Sequence, residues 1–311
     1  MKKILSVVLA LVMCVGACLS LTSCGGNDAD FTVGICQLMK HDSLDQATEG
    51  FIKALTDALA AEGKTVEFDT QVPGDAELCT TVVNTFTANG VDLIMANATP
   101  ALLAAANATV SNNIPVLGTS VTDYADTFLG EIPANVSGTS DAVPFDEQAK
   151  MMISSLGLVA GDQVGVIYCT NESNSLIQYE AVKKLFEAEK IVVKAYTFSE
   201  TTELQALATS AANECKAIYV PSDNTVAEND SIVGTICNDK KVPVYTSYGG
   251  KICYASLAID YYQLGVETGK MAAEILLGKK TPADIEIMTL TPTVTYNKDL
   301  CATLGIEVPA E

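Results

Sequence analysis

The chain has 311 residues, 49% apolar and 18% charged, which suits a globular protein of two domains and excludes a wholly disordered one. Its 38 Asp and Glu face 18 basic residues, all of them Lys, for a formal charge of −20. With no Arg and no cluster of cations, a nucleic-acid groove is excluded, because phosphate binding needs grouped positive charge.

Lys2 and Lys3 precede an apolar stretch over residues 4–19, which leads into Leu21-Thr22-Ser23-Cys24. A cationic start, an apolar run too short for comfortable spanning and small residues before a cut describe a secretory signal over residues 1–23. The Leu-Thr-Ser-Cys run resembles the lipobox of bacterial lipoproteins. That resemblance implies a diacylated Cys24 as mature N-terminus, followed by a tether over residues 24–30. Two acyl chains anchor firmly where one is marginal, so the expected place is the extracytoplasmic face of the cell membrane, with lipid as the only membrane contact. Beyond Cys24 seven Cys remain, without regular spacing, and they read mostly as small buried hydrophobes. One disulfide among them stays open.

From residue 31 onward, apolar runs alternate with helical patterns. Strand 31–38, helix 43–61, strand 66–69, helix 76–88, strand 92–97, helix 100–110 and strand 115–118 form one βαβ series. Ser43 with Gln46 gives the first helix a capping-box signature. After residues 135–141 the pattern restarts with helix 145–156, strand 163–169, helix 175–189 and strand 191–198. Helix 203–215, strand 217–221, helix 226–239 and strand 243–245 continue it. The tail adds strand 255–259, helix 261–277 and a strand-rich segment 285–296. Two series of similar length predict an α/β protein of two similar lobes, each a parallel sheet covered by helices.

Ligands of open parallel sheets bind at the carboxyl ends of the strands. Here those ends carry Gln37 with His41, Ala98-Thr99-Pro100 and Gly118-Thr119-Ser120 in the first half. The second half offers Thr170-Asn171-Glu172-Ser173-Asn174-Ser175, then Ser222-Asp223-Asn224-Thr225, then Ser247-Tyr248-Gly249-Gly250. This is a polar binding cleft without a catalyst's set of groups. Thr99 before Pro100 reads either as an N-cap whose helix offers free amides to a carboxylate, or as a cap and nothing more. Without Arg, a ligand carboxylate would rest on hydroxyls and amides, with Thr99, Thr119 and Ser120 as candidates. Asp223 and Asp260 suit a ligand ammonium, or cap the helices behind them, and Asp141 falls where the chain passes between lobes. His41 is the sole imidazole, and no G-x-S-x-G, Walker or G-x-G-x-x-G run accompanies it in the mature chain. It is expected to line a pocket, with Tyr248 as a wall for a flat ligand. No enzyme, cofactor or metal is indicated.

Several runs then occur in a telling order. They are Val33-Gly34-Ile35-Cys36-Gln37 with His41 and Ser43-Leu44-Asp45, Ala98-Thr99-Pro100 with Ala106-Asn107-Ala108-Thr109, and Val121-Thr122-Asp123. Asn135-Val136-Ser137-Gly138-Thr139-Ser140-Asp141, Val220-Pro221 with Asp223-Asn224-Thr225, and Leu264-Gly265 with Thr268-Gly269-Lys270-Met271-Ala272 follow. Together they resemble the substrate-binding lipoproteins of ABC importers in the tryptophan/tyrosine (aromatic amino-acid) group, over nearly the whole mature chain. The resemblance implies the type I periplasmic-binding-protein fold, two Rossmann-like lobes with a three-segment hinge and a ligand cleft between them. The expected lobes are 31–141 with 260–284, and 142–259 with 285–311. It further implies that Thr99 and neighbouring amides hold a ligand carboxylate, and that Asp223 and Asn224 meet the α-amino group. Ser140, Asp141, Asn174, Ser175 and Asp260 would complete the polar shell, with Gln37 and His41 near the side chain. The implied partners are a small-molecule ligand (tryptophan, tyrosine or phenylalanine) and an ABC permease, with the receptor itself a monomer. The alternative is a sugar or nucleoside receptor of the same fold. Tyr124 stands where a turn-forming Pro is expected, which leaves the side-chain preference open.

Overall fold

The computed structural model describes residues 29–309; the expected leader, Cys24 and the start of the tether lie outside the described residues. The first lobe begins with β1 (Phe31–Gln37), α1 (Asp42–Ala61), β2 (Val66–Gln71), α2 (Ala76–Asn89) and β3 (Leu93–Asn97). It continues through α3 (Thr99–Thr109), β4 (Val116–Val121), α4 (Tyr124–Thr127) and β5 (Val136–Ser140). The chain then crosses to α5 (Phe145–Leu156), β6 (Gln163–Cys169), α6 (Ser173–Ala188), β7 (Val192–Phe198) and α7 (Leu204–Glu214). The second lobe proceeds with β8 (Ala217–Val220), α8 (Asn224–Glu228), α9 (Asp230–Asp239), β9 (Val244–Thr246) and β10 (Ala255–Ala258). α10 (Tyr261–Leu276) and β11 (Met288–Thr289) return to the first lobe, and β12 (Thr293–Tyr296) and α11 (Lys298–Leu304) close the second.

Each lobe holds a six-stranded sheet, in the order β11-β5-β4-β3-β1-β2 and β12-β10-β9-β8-β6-β7. Every pair is parallel except β12, which runs antiparallel to β10. β3, β4 and β5 are buried at every position, as a sheet covered on both faces requires. The chain therefore passes between sheets three times.

The third passage corrects an expected boundary. β11 pairs with β5 through Met288 and Thr289, so residues 285–289 belong with the first sheet and not the second. Ser137 Oγ, which donates to the Ile285 carbonyl at 2.8 Å, secures the same segment. β5 escapes a hydropathy reading because its sequence is Val-Ser-Gly-Thr-Ser. Its hydroxyls are buried only because they are bonded: Thr139 Oγ1 lies 3.1 Å from Thr119 Oγ1 and 2.9 Å from Thr268 Oγ1. Two further expectations shift. The helix expected over 226–239 is broken at Asn229 into α8 and α9, and the strand expected to stop at Gly118 runs on to Val121 through a register shift.

α1 presents Leu44, Ala47, Phe51, Leu55 and Leu59 at helical spacing to the core. α10 packs against it at backbone distance. A Cβ at Gly265 would overlap the Ala47 carbonyl oxygen, and one at Gly50 would overlap that of Tyr262. The residues linking the sheets thus rest on a helix pair that has no room for larger side chains.

Candidate functional site

Between the lobes lies a narrow cavity. The first lobe lines it with His41, Leu44, Ser120, Thr122, Asp141 and Tyr261. The second supplies Asn174, Ser222, Asp223, Asn224, Ala227 and Tyr248. These residues sit at the carboxyl ends of β4, β5, β8 and β9 and at the starts of α1, α6, α8 and α10, the edge that open parallel sheets offer to ligands.

Contacts across the gap already join the walls. His41 Nε2 is 3.2 Å from Asn224 Oδ1, and Gln178 Nε2 donates to Thr122 Oγ1 at 3.4 Å. At the rim, Lys251 Nζ lies 3.6 Å from Asp42, an exposed pair of small energetic weight.

The cavity carries two carboxylates. Asp141 is 6% exposed and accepts from Tyr261 OH at 2.8 Å and Thr122 Oγ1 at 3.2 Å. Burial holds its carboxyl above the usual range, against the lowering effect of those hydroxyls. Asp223 is 1% exposed; Oδ2 accepts from Cys169 N–H at 2.7 Å and Ser175 Oγ at 2.8 Å, and Oδ1 from Val226 N–H at 2.9 Å. Burial, then the nearby charge of Glu172, push it well above the usual range. None of the lining residues is a Lys, and burial lowers the His41 imidazole, favouring its neutral form. The cavity is short of positive charge.

Three buried polar atoms on its walls lack a partner: Ser120 Oγ, Asn174 Oδ1 and Tyr248 OH. Unmet hydrogen bonds on buried groups are rare in native folds. Backbone strain lies alongside. Ser120 has φ 56° and Ala98, at the end of β3, has φ 93°, both on the left-handed side that side chains avoid.

The sequence also nominated residues that the fold uses elsewhere. Thr99 is the first residue of α3 and not its cap; the cap position is Ala98, with no side-chain bond. Its Oγ1 is buried and unpartnered, but Thr99 does not line the cavity. Thr119 is spent on the chain of hydroxyls running from β4 through Thr139 to Thr268. Gln37 braces α1 through Asp45, Thr48 and the Met39 carbonyl. Ser140 Oγ donates to the Thr122 carbonyl, and Ser175 supports Asp223 from behind. Asp260 is an exposed N-cap of α10, accepting from Gln263 N–H at 2.9 Å, so its role is capping. Its neighbour Tyr261 is the residue that enters the cavity.

Glu172 stands in the polar run that follows β6, but the sequence assigns it no role. It is 4% exposed and accepts from Asn224 N–H and Nδ2 at 2.9 and 2.6 Å, and from Thr225 N–H and Oγ1, both at 2.8 Å. This carboxylate therefore fixes the start of α8 and presents Asn224 Oδ1 to His41.

Two parallel-sheet lobes, three crossings and a polar cavity at facing strand ends define a type I periplasmic-binding-protein architecture. The model of a family described as ABC transporter substrate binding protein matches residues 32–311, and the chain belongs to that family. Its members are non-enzymatic extracytoplasmic proteins that serve ABC transporters. A tyrosine-binding protein of Clostridioides difficile (strain R20291) is 34% identical over 329 residues, covering 98% of this chain and 93% of that one. Among solved structures, an ABC domain from Streptococcus pneumonia in complex with L-Trp is 30% identical with TM-score 0.81, covering 90% of this chain and 96% of that one. A ligand-free, open substrate-binding protein from Clostridium difficile is 32% identical at the same coverages, with TM-score 0.66. At near-equal identity, the chain superposes better on the L-Trp complex than on the open form. That agrees with the bonds that join its walls.

Proposed function

We propose that the protein captures an aromatic amino acid in the cavity between its lobes and hands it to the permease of an ABC importer. The observation that carries this reading is the charge imbalance: Asp141 and Asp223 face one cavity with no cationic side chain on its walls. Buried carboxylates call for a cation, and an α-ammonium group supplies one. Ser120 Oγ and Tyr248 OH are free to donate to the ligand carboxylate, and Asn174 Oδ1 is free to accept from the ammonium. His41, Leu44, Tyr248 and Tyr261 offer the apolar and aromatic surface for the side chain. The relatives that bind tyrosine and L-Trp support the ligand class.

Ligand contacts to both lobes stabilise the closed state over the open one, which is the transport signal. The receptor works as a monomer held to the membrane by lipid on Cys24. A sugar or nucleoside receptor of this fold would leave the charge imbalance unexplained, because such ligands bring no cation. A thermal-shift panel separates the two. Tyrosine, tryptophan and phenylalanine raise Tm, while pentoses, hexoses and nucleosides leave it unchanged; a shift confined to sugars or nucleosides overturns the reading.

A further inference from the structure

Gln178 is buried on α6 and does not line the cavity, yet it stands in a chain of hydrogen bonds that ends on a cavity carboxylate. Ser222 N–H donates to Gln178 Oε1 at 3.0 Å, Gln178 Nε2 to Thr122 Oγ1 at 3.4 Å, and Thr122 Oγ1 to Asp141 Oδ1 at 3.2 Å. Thr122 follows β4 in the first lobe, while Gln178 and Ser222 belong to the second, so only the middle link crosses between lobes. Asp141 itself is tied to the first lobe, because its N–H donates to the Val121 carbonyl at 3.2 Å.

The first link fixes the direction of the whole chain. A backbone N–H can only donate, so the amide oxygen of Gln178 must face Ser222 and its NH2 must face Thr122. A hydroxyl has one hydrogen. Gln178 supplies the hydrogen of the middle link, and that of Thr122 is therefore left for Asp141. Burial works against the ionised form of Asp141, so a donor held on it helps to keep the charge that an ammonium group needs.

We propose that Gln178 is a positioning residue for the ligand's ammonium group, which on lobe closure locks the Thr122 hydroxyl onto Asp141. This role rests on the amino-acid reading above and ties closure to the charge of the site. When the lobes part, the middle link breaks and the Thr122 hydroxyl is free to turn away from Asp141. A plain latch between the lobes would strengthen the binding of every ligand alike. A positioning residue acts chiefly on ligands that carry the ammonium group.

The test is titration calorimetry of the full chain with tyrosine and with the same molecule lacking only the amino group. Gln178→Met keeps the length of the side chain and removes both of its bonds. It should lower the preference for tyrosine over the desamino analogue by a factor of roughly 2–13, the worth of one hydrogen bond. Thr122→Ala should lower that preference similarly, and Thr122→Ser, which keeps the hydroxyl, should restore it. Adding Gln178→Met to Thr122→Ala should lower it no further, because both act on one chain. A preference left unchanged by Gln178→Met, even where both ligands weaken alike, overturns the proposal and leaves Gln178 a latch. Should that variant fail to fold, the Thr122 pair decides, and an unchanged preference in Thr122→Ala overturns the proposal. An unaltered chain that binds tyrosine no better than its desamino analogue overturns the amino-acid reading and this role with it, so the two failures are told apart.

Discussion

His41 of the first lobe and Asn224 of the second meet at 3.2 Å across the cleft, although 183 residues separate them in the chain. One hydrogen bond therefore reports whether the lobes are closed. A typical intramolecular bond is worth about 0.5–1.5 kcal/mol, a factor of roughly 2–13 in an equilibrium. His41→Ala should weaken ligand affinity by about that factor in calorimetry, with far-UV circular dichroism unchanged. Unaltered affinity would show that the bond adds nothing to closure.

The same imidazole gives closure a pH dependence. Burial lowers the His41 pKa in the closed form from its ordinary 6.5, and the bond to Asn224 and the nearby carboxylates only partly oppose this. Where opening exposes the ring to water, its ordinary value returns. The contribution to closure is then complete above about pH 6.5 and declines as pH falls through that value, because the open form takes up the proton more readily. Measured between pH 8 and 5.5, the ratio of unaltered to His41→Ala affinity should shrink as the pH drops. A ratio that grows on acidification contradicts this assignment.

Asp141 should trade stability for binding. Its folded pKa is raised above the 3.8 of an unperturbed Asp, so its contribution to stability is complete below about pH 4 and is lost as pH rises through the folded value. Its two partners are hydroxyls, which can rotate to meet an amide. Asp141→Asn should therefore raise the ligand-free Tm at pH 7.5 by a few degrees and weaken amino-acid binding by roughly 100-fold or more. A lower Tm with binding intact would assign Asp141 to the hinge alone.

Glu172 acts on the ligand through Asn224. Glu172→Gln removes the charge that gathers the Asn224 and Thr225 donors, and so loosens the group that His41 contacts. Because both changes act on one bond, Glu172→Gln and His41→Ala should not add. Their combined loss of affinity should fall short of the sum of the two single losses, by more than the roughly 0.3–0.5 kcal/mol tolerance seen for independent sites. Full additivity would mean that Glu172 only supports α8.

Much of this was legible in the chain itself. Central strands such as Leu93–Asn97 are apolar runs between helical patterns, and burial on both faces leaves no other use for them. Ser120, Asp141, Asn174, Asp223, Asn224, His41 and Tyr248 could be picked out because strand ends carry the polar residues of such folds, and all of them line the cavity. The same rule also drew in Thr119, Gln37 and Asp260, since a polar residue at a strand end can serve a hydroxyl chain, a helix brace or a cap equally well. What Glu172 and Tyr261 do is not legible there, for the opposite reason. Their roles arise only when α8 docks beside β6 and when α10 returns to the first lobe, contacts that no local pattern encodes.

The central claim is that buried carboxylates grip an α-ammonium group. Isothermal titration with tyrosine and tryptophan, beside the same molecules lacking only the amino group, tests it most directly. The account predicts tight binding of the amino acids and a loss of roughly 100-fold or more for the desamino analogues, because one or more buried carboxylates would be left unpaired. Equal affinity for both sets would contradict it.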